Sequence, residues 1–429
     1  MSSKRRRAVQ AARLTASAFA ASAAVAVAGG TAAAGDSRGQ SDGSSASQAR
    51  FKEPKVKLKD GRLEIEGKKA EDDRIALFLK PGDPGTLQVD VDGDGTAEES
   101  FPRAEITSIS VDTGRGDDIV RIDESNGVFT DTIPTTMDGG EGNDTLSGGA
   151  GASTLSGGPG ADQLVGGSGA ERLNGGDGYD RIDGNRGNDV AFMGGGDDTF
   201  VWDPGDGSDT IEGQAGRDTM LFNGANVAEK VDLSANGSRL RFFRDAGTIT
   251  MDTAGVERVD FTALGAADSV TVGDLRGTDV DEVNVDLAAS GGGGDGAADS
   301  VVVKGTNGND VVFVSGGNGA VSILGLAARV NIRNAEQAND TLTVDALAGN
   351  DIVFGGGLEA SGIRLVESGG DGNDILVGSA GTTRSAGRRA TTCFSAARDR
   401  TSSTAGPAAT SSSRTDGAFV PWPRSVTHS

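Results

Sequence analysis

Histidine, cysteine and aromatic residues are nearly missing from this sequence. Its 429 residues include one His, one Cys, one Tyr and two Trp, and aromatics reach only 4%. A single Cys forms no internal disulfide, and without a Cys/His cluster there is no place for a structural zinc. The lone His is His428, beside the C-terminus, so chemistry resting on a buried imidazole is not expected. No HExxH motif occurs, and no GxSxG elbow with a His partner. No catalytic residue is singled out, and the chain is not read as an enzyme. Hydrophobic residues make up 35%, too little to fill an ordinary globular core at this length.

What the chain has instead is glycine, 69 residues of it, and acid: 63 Asp and Glu against 40 Lys and Arg, for a net charge of -23. Such a balance suits cations and disfavours nucleic acid and anionic lipid. The charge is uneven. Lys4, Arg5, Arg6, Arg7 and Arg13 stand alone in the first 35 residues, and from Ala380 onward seven Arg face two Asp, which leaves -33 for the stretch between. Residues 1–34 read as a secretory signal peptide: KRRR, the small apolar run LTASAFAASAAVAVA, then Ala32-Ala33-Ala34 as an A-x-A cleavage site. Export to the extracellular space is expected, with no stable membrane insertion. A Ser/Gly linker occupies 35–50.

From Phe51 the pattern is that of strands. KVKLKDGRLEIEG alternates around Asp60-Gly61, a hairpin signal, and IALFLK, LQVDVDGDG and ITSISVDTG extend this N-terminal β region, 51–137. Self-similarity then takes over. From Gly139 the chain reads GGEGNDTLS, GGAGASTLS, GGPGADQLV, GGSGAERLN, GGDGYDRID, GNRGNDVAF and MGGGDDTFV. After the inserted Trp202 and Asp203 come PGDGSDTIE and GQAGRDTML. The fourth position is Gly in all nine units and the eighth is apolar in all nine. Six glycine-rich residues make a turn, three make a short strand, and one side chain per unit faces inward. A single unit cannot bury that residue; a stack of units can, and the array at 138–222 is therefore read as a solenoid.

The sixth position carries the chemistry. It is Asp144, Asp162, Asp180, Asp189, Asp198, Asp209 and Asp218, with Ser153 and Glu171 as the departures. Carboxylates stacked at the repeat spacing repel one another unless a cation lies among them. Hard oxygen donors in a turn rich in carbonyls suit Ca2+. These units resemble those of the RTX family, the hemolysin-type calcium-binding repeat proteins. The resemblance implies an all-β fold, a parallel β-roll with alternate turns on opposite edges and Ca2+ held between successive turns. On that basis Asp144, Asp162, Asp180, Asp198 and Asp218 share one edge as a full row. Ser153, Glu171, Asp189 and Asp209 share the other, whose start is defective.

Degenerate relatives flank the array: GRGDDIVRI before it, then GAADSVTV, AADSVVV, TNGNDVVFV, ANDTLTV and AGNDIVF within 223–366. These read as solenoid rungs or sandwich strands, with weaker ion sites at Asp310 and Asp351. GGDGNDILV restores a true unit with Asp374, the start of a second array at 367–378. The tail, 379–429, loses the motif but keeps its phase, since steps of nine from Asp374 land on Thr383, Thr392, Thr401 and Thr410. Shifted by one base, codons for further repeats yield just such Thr-, Arg- and Ser-rich residues, so a slipped reading frame near Gly378–Gly381 is expected. Asp90-x-Asp92-x-Asp94-Gly95 copies the opening of an EF-hand loop, but Phe101 replaces the closing Glu and no helices flank it, so a hairpin turn is expected. Arg115-Gly116-Asp117 spells an adhesion tripeptide inside a repeat-like turn. The reading is thus an exported calcium-binding protein that folds on its ions. The alternatives are the non-catalytic part of a secreted enzyme, or a calcium-stiffened spacer at the cell surface with an unknown partner.

Overall fold

Two nonapeptides make one full turn of the chain. The computed structural model describes residues 54–381 and the backbone runs 383–389, 393–395 and 401–405. The expected leader and linker lie outside these residues. Among the described residues the protein is built from strands and two short 3-10 turns, Arg103–Glu105 and Ala246–Thr248. The strands form two long open sheets, each paired from end to end without closing on itself. The β-roll expected from the repeats is present.

Within the array, odd units place their strand on one sheet and even units on the other. Thr145–Ser147, Gln163–Val165 and Arg181–Asp183 pair in parallel with Leu146, Leu164 and Ile182 in register. Ser153–Gly160 and Arg172–Gly178 pair likewise on the other sheet, with Leu155 opposite Leu173. The two sheets differ in a way the repeat does not announce. Strands of the second kind run on into the glycines of the following turn, so six-plus-three holds on only one edge. Glycine's lack of a side chain permits this merging of strand and turn.

The eighth-position residues from Leu146 to Met220 all have no solvent exposure, and they form the column one residue wide that the spacing demands. The two inserted residues widen it. Trp202 is fully buried and stacks on Phe222 with ring centroids 4.0 Å apart, and Phe242 continues the stack at 4.3 Å. Aromatics are thus concentrated where the narrow core needs bulk.

The solenoid continues on both sides of the array. The strand Thr135–Glu141 spans its start, and 223–366 adds rungs rather than a separate sandwich. Two antiparallel three-strand excursions interrupt the rungs, Lys230–Asn236 with Arg239–Arg244 and Ile249–Ala254, and Val311–Gly317 with Ala320–Leu324 and Arg329–Arg333. In the tail the backbone keeps the same spacing: Thr383 pairs with Thr401, and Ile375 with Cys393. Thr392 and Thr410 lie outside the described residues.

Turn stacking explains the invariant fourth-position glycine. Gly160 has φ +150°, and a Cβ there would lie 1.7 Å from the carbonyl oxygen of Gly142 in the rung below. Gly160→Ala is expected to cost about 4 kcal/mol or more, measured by urea unfolding in calcium. Gly85→Ala, whose Cβ would meet only the Asp83 side chain at 3.4 Å, is the control and should change little.

Candidate metal centre

The aspartates of the sixth position do not face water. Asp144, Asp162, Asp180, Asp189, Asp198, Asp209 and Asp218 are all at most 2% exposed, and Asp374 is 1% exposed. Each lies just before a strand, where the chain turns from one sheet to the other. The turns divide as the resemblance implied, with Asp144, Asp162, Asp180, Asp198 and Asp218 stacked along the first edge. Glu171, Asp189 and Asp209 stack along the second.

Each buried aspartate uses its two oxygens differently. One accepts the backbone N–H of the acidic residue in the preceding rung: Asp144 N to Asp162 Oδ1 is 2.7 Å, Asp162 to Asp180 2.9 Å, Asp180 to Asp198 2.7 Å and Asp198 to Asp218 2.9 Å. The second edge repeats this from Glu171 to Asp189 at 2.7 Å and from Asp189 to Asp209 at 2.8 Å. The other oxygen is buried without a hydrogen-bond partner at Asp144, Asp162, Asp180, Asp189, Asp198, Asp218 and Asp374. A buried acceptor left unmatched is costly, and repeated along one line it marks a place for a ligand.

These orphaned oxygens account for the first-position glycine as well. A Cβ on Gly139, Gly157 or Gly175 would sit 2.2, 2.3 or 2.4 Å from Oδ2 of Asp144, Asp162 or Asp180. Removing the side chain at this position leaves room for the carboxylate. The sequence showed the glycine but not its reason.

Burial and mutual repulsion set the electrostatics. Loss of water raises the carboxyls of Asp144 and Asp180 to about 6 and those of Asp162 and Asp218 to about 7. On the second edge burial, with the charges of neighbouring carboxylates, lifts Asp209 to about 7 and Asp189 to about 8. Asp198 and Asp374 are raised by burial too. The N–H bonds pull the other way but do not win. Ionising these rows at neutral pH therefore calls for positive charge between them.

The second edge begins poorly, in keeping with its Ser153. That hydroxyl bonds only the Gly151 carbonyl, at 3.1 Å. The nearby carboxylate of Glu124 is consumed by the N–H groups of Phe129, Thr130 and Ala150. Farther along, the acidic rows exceed what the repeats advertise. Asp73 and Asp118 extend the first edge upstream, with Asp73 N to Asp118 Oδ1 at 2.6 Å and Asp118 N to Asp144 Oδ1 at 2.8 Å. Asp118 belongs to the degenerate GRGDDIVRI, but Asp73 in KKAEDDRI has only Gly67, six residues earlier, to betray it. Asp310, Asp351 and Asp374 continue the pattern, at 2.8 and 3.1 Å.

The EF-hand-like segment does form a hairpin loop, between strands Asp83–Asp90 and Glu99–Pro102. It also gathers Asp90, Asp92, Asp94 and Glu98 so that one oxygen from each lies within 4.8 Å of the others. Judging the loop by Phe101 overlooked Glu98, which supplies a carboxylate three residues sooner.

The donors of the stacked turns are all oxygens, and most of the aspartates leave one of theirs orphaned, so they fit a hard cation and not a thiophilic one. Asp144, Asp162, Asp180, Asp198 and Asp218 would hold it on the first edge, and Asp189 and Asp209 on the second. The RTX calcium-binding nonapeptide repeat family (4 copies) matches residues 138–170, 165–200, 205–226, 343–357 and 368–382. No curated protein matches the chain. Among the described residues no helix is long and apolar enough to cross a membrane.

Proposed function

For a chain that carries RTX calcium-binding nonapeptide repeats, we propose the role of an exported, non-catalytic calcium-binding protein whose roll folds when it meets extracellular Ca2+. The observation that carries this reading is the line of buried, partnerless aspartate oxygens along the first edge, with those of Glu171 and Asp189 on the second. Folding the calcium-free chain at neutral pH would bury like charges without compensation. Binding energy supplied by Ca2+ is then folding energy, as in other domains whose site does not exist in the unfolded chain. Extracellular calcium modules bind with Kd of about 10⁻⁴–10⁻³ M, so such a chain would stay open inside a cell and close outside it. The basic leader at 1–34 supports export.

Limited proteolysis tests this function. In millimolar Ca2+ a core covering the two sheets is expected to resist cleavage, and in EDTA the same chain is expected to be digested throughout. Equal resistance in both would refute calcium-coupled folding. Recovery of the processed protein in the culture medium, rather than in the cell or on its surface, tests export and separates a free protein from a surface spacer.

A further inference from the structure

The matched repeats stop at residue 226 and resume only at 343. The second edge nevertheless continues between them. Glu229, Asp268, Asp299 and Asp340 each stand one residue before a strand of the same sheet, and those strands pair in parallel with Lys230, Ser269, Ser300 and Thr341 in register. The backbone relay of the repeats recurs without the fourth-position glycine, whose place is taken by Val227, Ala266, Ala297 and Ala338. Glu229 N reaches Asp268 Oδ1 at 2.8 Å, Asp268 N reaches Asp299 Oδ1 at 2.8 Å, and Asp299 N reaches Asp340 Oδ1 at 3.0 Å. All four acids are at most 3% exposed.

Two features set the middle of this row apart from a merely buried acidic stack. First, Oε2 of Glu229 and Oδ2 of Asp268 are buried without a hydrogen-bond partner, and so is Oδ2 of Asp295 in the adjoining loop. Second, Asn226 and Asp295 come together at the turn that leads into Asp268. A Cβ on the buried Gly265 would lie 2.9 Å from Asn226 Oδ1 and 3.5 Å from Asp295 Oδ2, three residues before Asp268. The charges bearing most on Asp268 are those of Asp299, Glu229 and Asp295, all negative. At the head of the row the protein supplies its own cation. The buried Arg244 guanidinium pairs with Glu229, its Nε 2.7 Å from Oε1. Asp268 and Asp295 have no such partner.

We propose that Asp268 and Asp295, with Asn226 Oδ1 beside them, form a further divalent-cation site of the oxygen-only kind that takes Ca2+, outside the repeat array. The inference rests on the calcium reading of the repeats but uses none of their residues. Carboxylate and amide oxygens drawn from separate segments suit the larger, less exacting Ca2+ better than Mg2+. Occupancy there would tie the loop at Gly291–Gly296 to the rung at Asp268.

Equilibrium dialysis of the full-length protein against Ca2+ alone tests the site by counting bound ions. Asp268→Asn with Asp295→Asn is expected to bind about one ion fewer per chain than the wild type. Asp295→Asn alone, in a loop and outside the backbone relay, is expected to show the same loss with an unchanged melting temperature in EDTA at pH 5. It guards against a variant that fails merely by misfolding. Asp162→Asn with Asp180→Asn should lose ions from the repeats and keep this one. If both Asp295 variants bind as many ions as the wild type while the repeat variant binds fewer, Asp268 and Asp295 are buried neutral acids and the proposal is overturned, with the reading of the repeats intact. If the wild type binds no Ca2+, both fall.

Discussion

Raising the pH of the calcium-free protein from about 5 to about 8 is expected to unfold the roll, and adding Ca2+ at pH 8 to restore it. The sign follows from the stacked aspartates. An aspartyl carboxyl ordinarily titrates near 3.8, whereas burial lifts Asp144 and Asp180 to about 6, Asp162, Asp209 and Asp218 to about 7, and Asp189 to about 8. Between those limits the folded chain holds more protons than the unfolded one, so stability falls as pH rises. It is fullest near or below pH 4 and is lost on passing through 6 to 8. Six such groups shift together, so the loss is steep. If calcium binds as proposed, protons and calcium neutralise the same oxygens, and acid should stand in for the ion. A melting temperature in EDTA that rises or stays level from pH 5 to pH 8 would contradict this.

The second large effect is that of Asp162→Asn with Asp180→Asn. Asparagine keeps the size of the side chain, and its carbonyl oxygen still accepts the N–H of Asp144 or Asp162, so the relay survives while two charges go. Calcium binding in the middle of the first edge is expected to weaken at least about tenfold, equivalent to about 1.4 kcal/mol, and to lose its steepness because stacked rungs depend on their neighbours. In EDTA at pH 8 the expectation reverses. The variant should be more stable than the wild type, since two buried charges no longer repel. A calcium titration and an EDTA melt on the same preparation give both readings. A variant destabilised equally with and without calcium would assign these aspartates a packing role alone.

Much of this was written in the spacing. Nine units with Gly at the fourth place and an apolar residue at the eighth dictate stacked turns over a narrow column, and Leu146 to Met220 occupy it as the period requires. Edge membership came with the resemblance to RTX repeats, which implies alternate turns on opposite edges. What the spacing hid was hidden for physical reasons. The motif marks sites through glycine, and glycine is needed only where turns stack closely. At Asp268, Asp299 and Asp340 longer loops reach the same relay, so the acid persists while Ala266, Ala297 and Ala338 stand where the fourth-position glycine would be. The function of the first-position glycine required knowing where Oδ2 points. Trp202 broke the nine-residue count, and only the rung geometry showed the insertion filling the core beside Phe222. The antiparallel excursions were legible as strands, but nothing local distinguished a strand that adds a rung from one that folds back.

On the function proposed, calcium completes a roll whose carboxylates otherwise repel. Far-ultraviolet circular dichroism of the full-length protein at pH 7.5, first in EDTA and then through a Ca2+ titration, decides this. The expected result is a weakly structured spectrum in EDTA and a cooperative gain of β signal with a midpoint of about 10⁻⁴–10⁻³ M free Ca2+. The same β spectrum before and after calcium would contradict it.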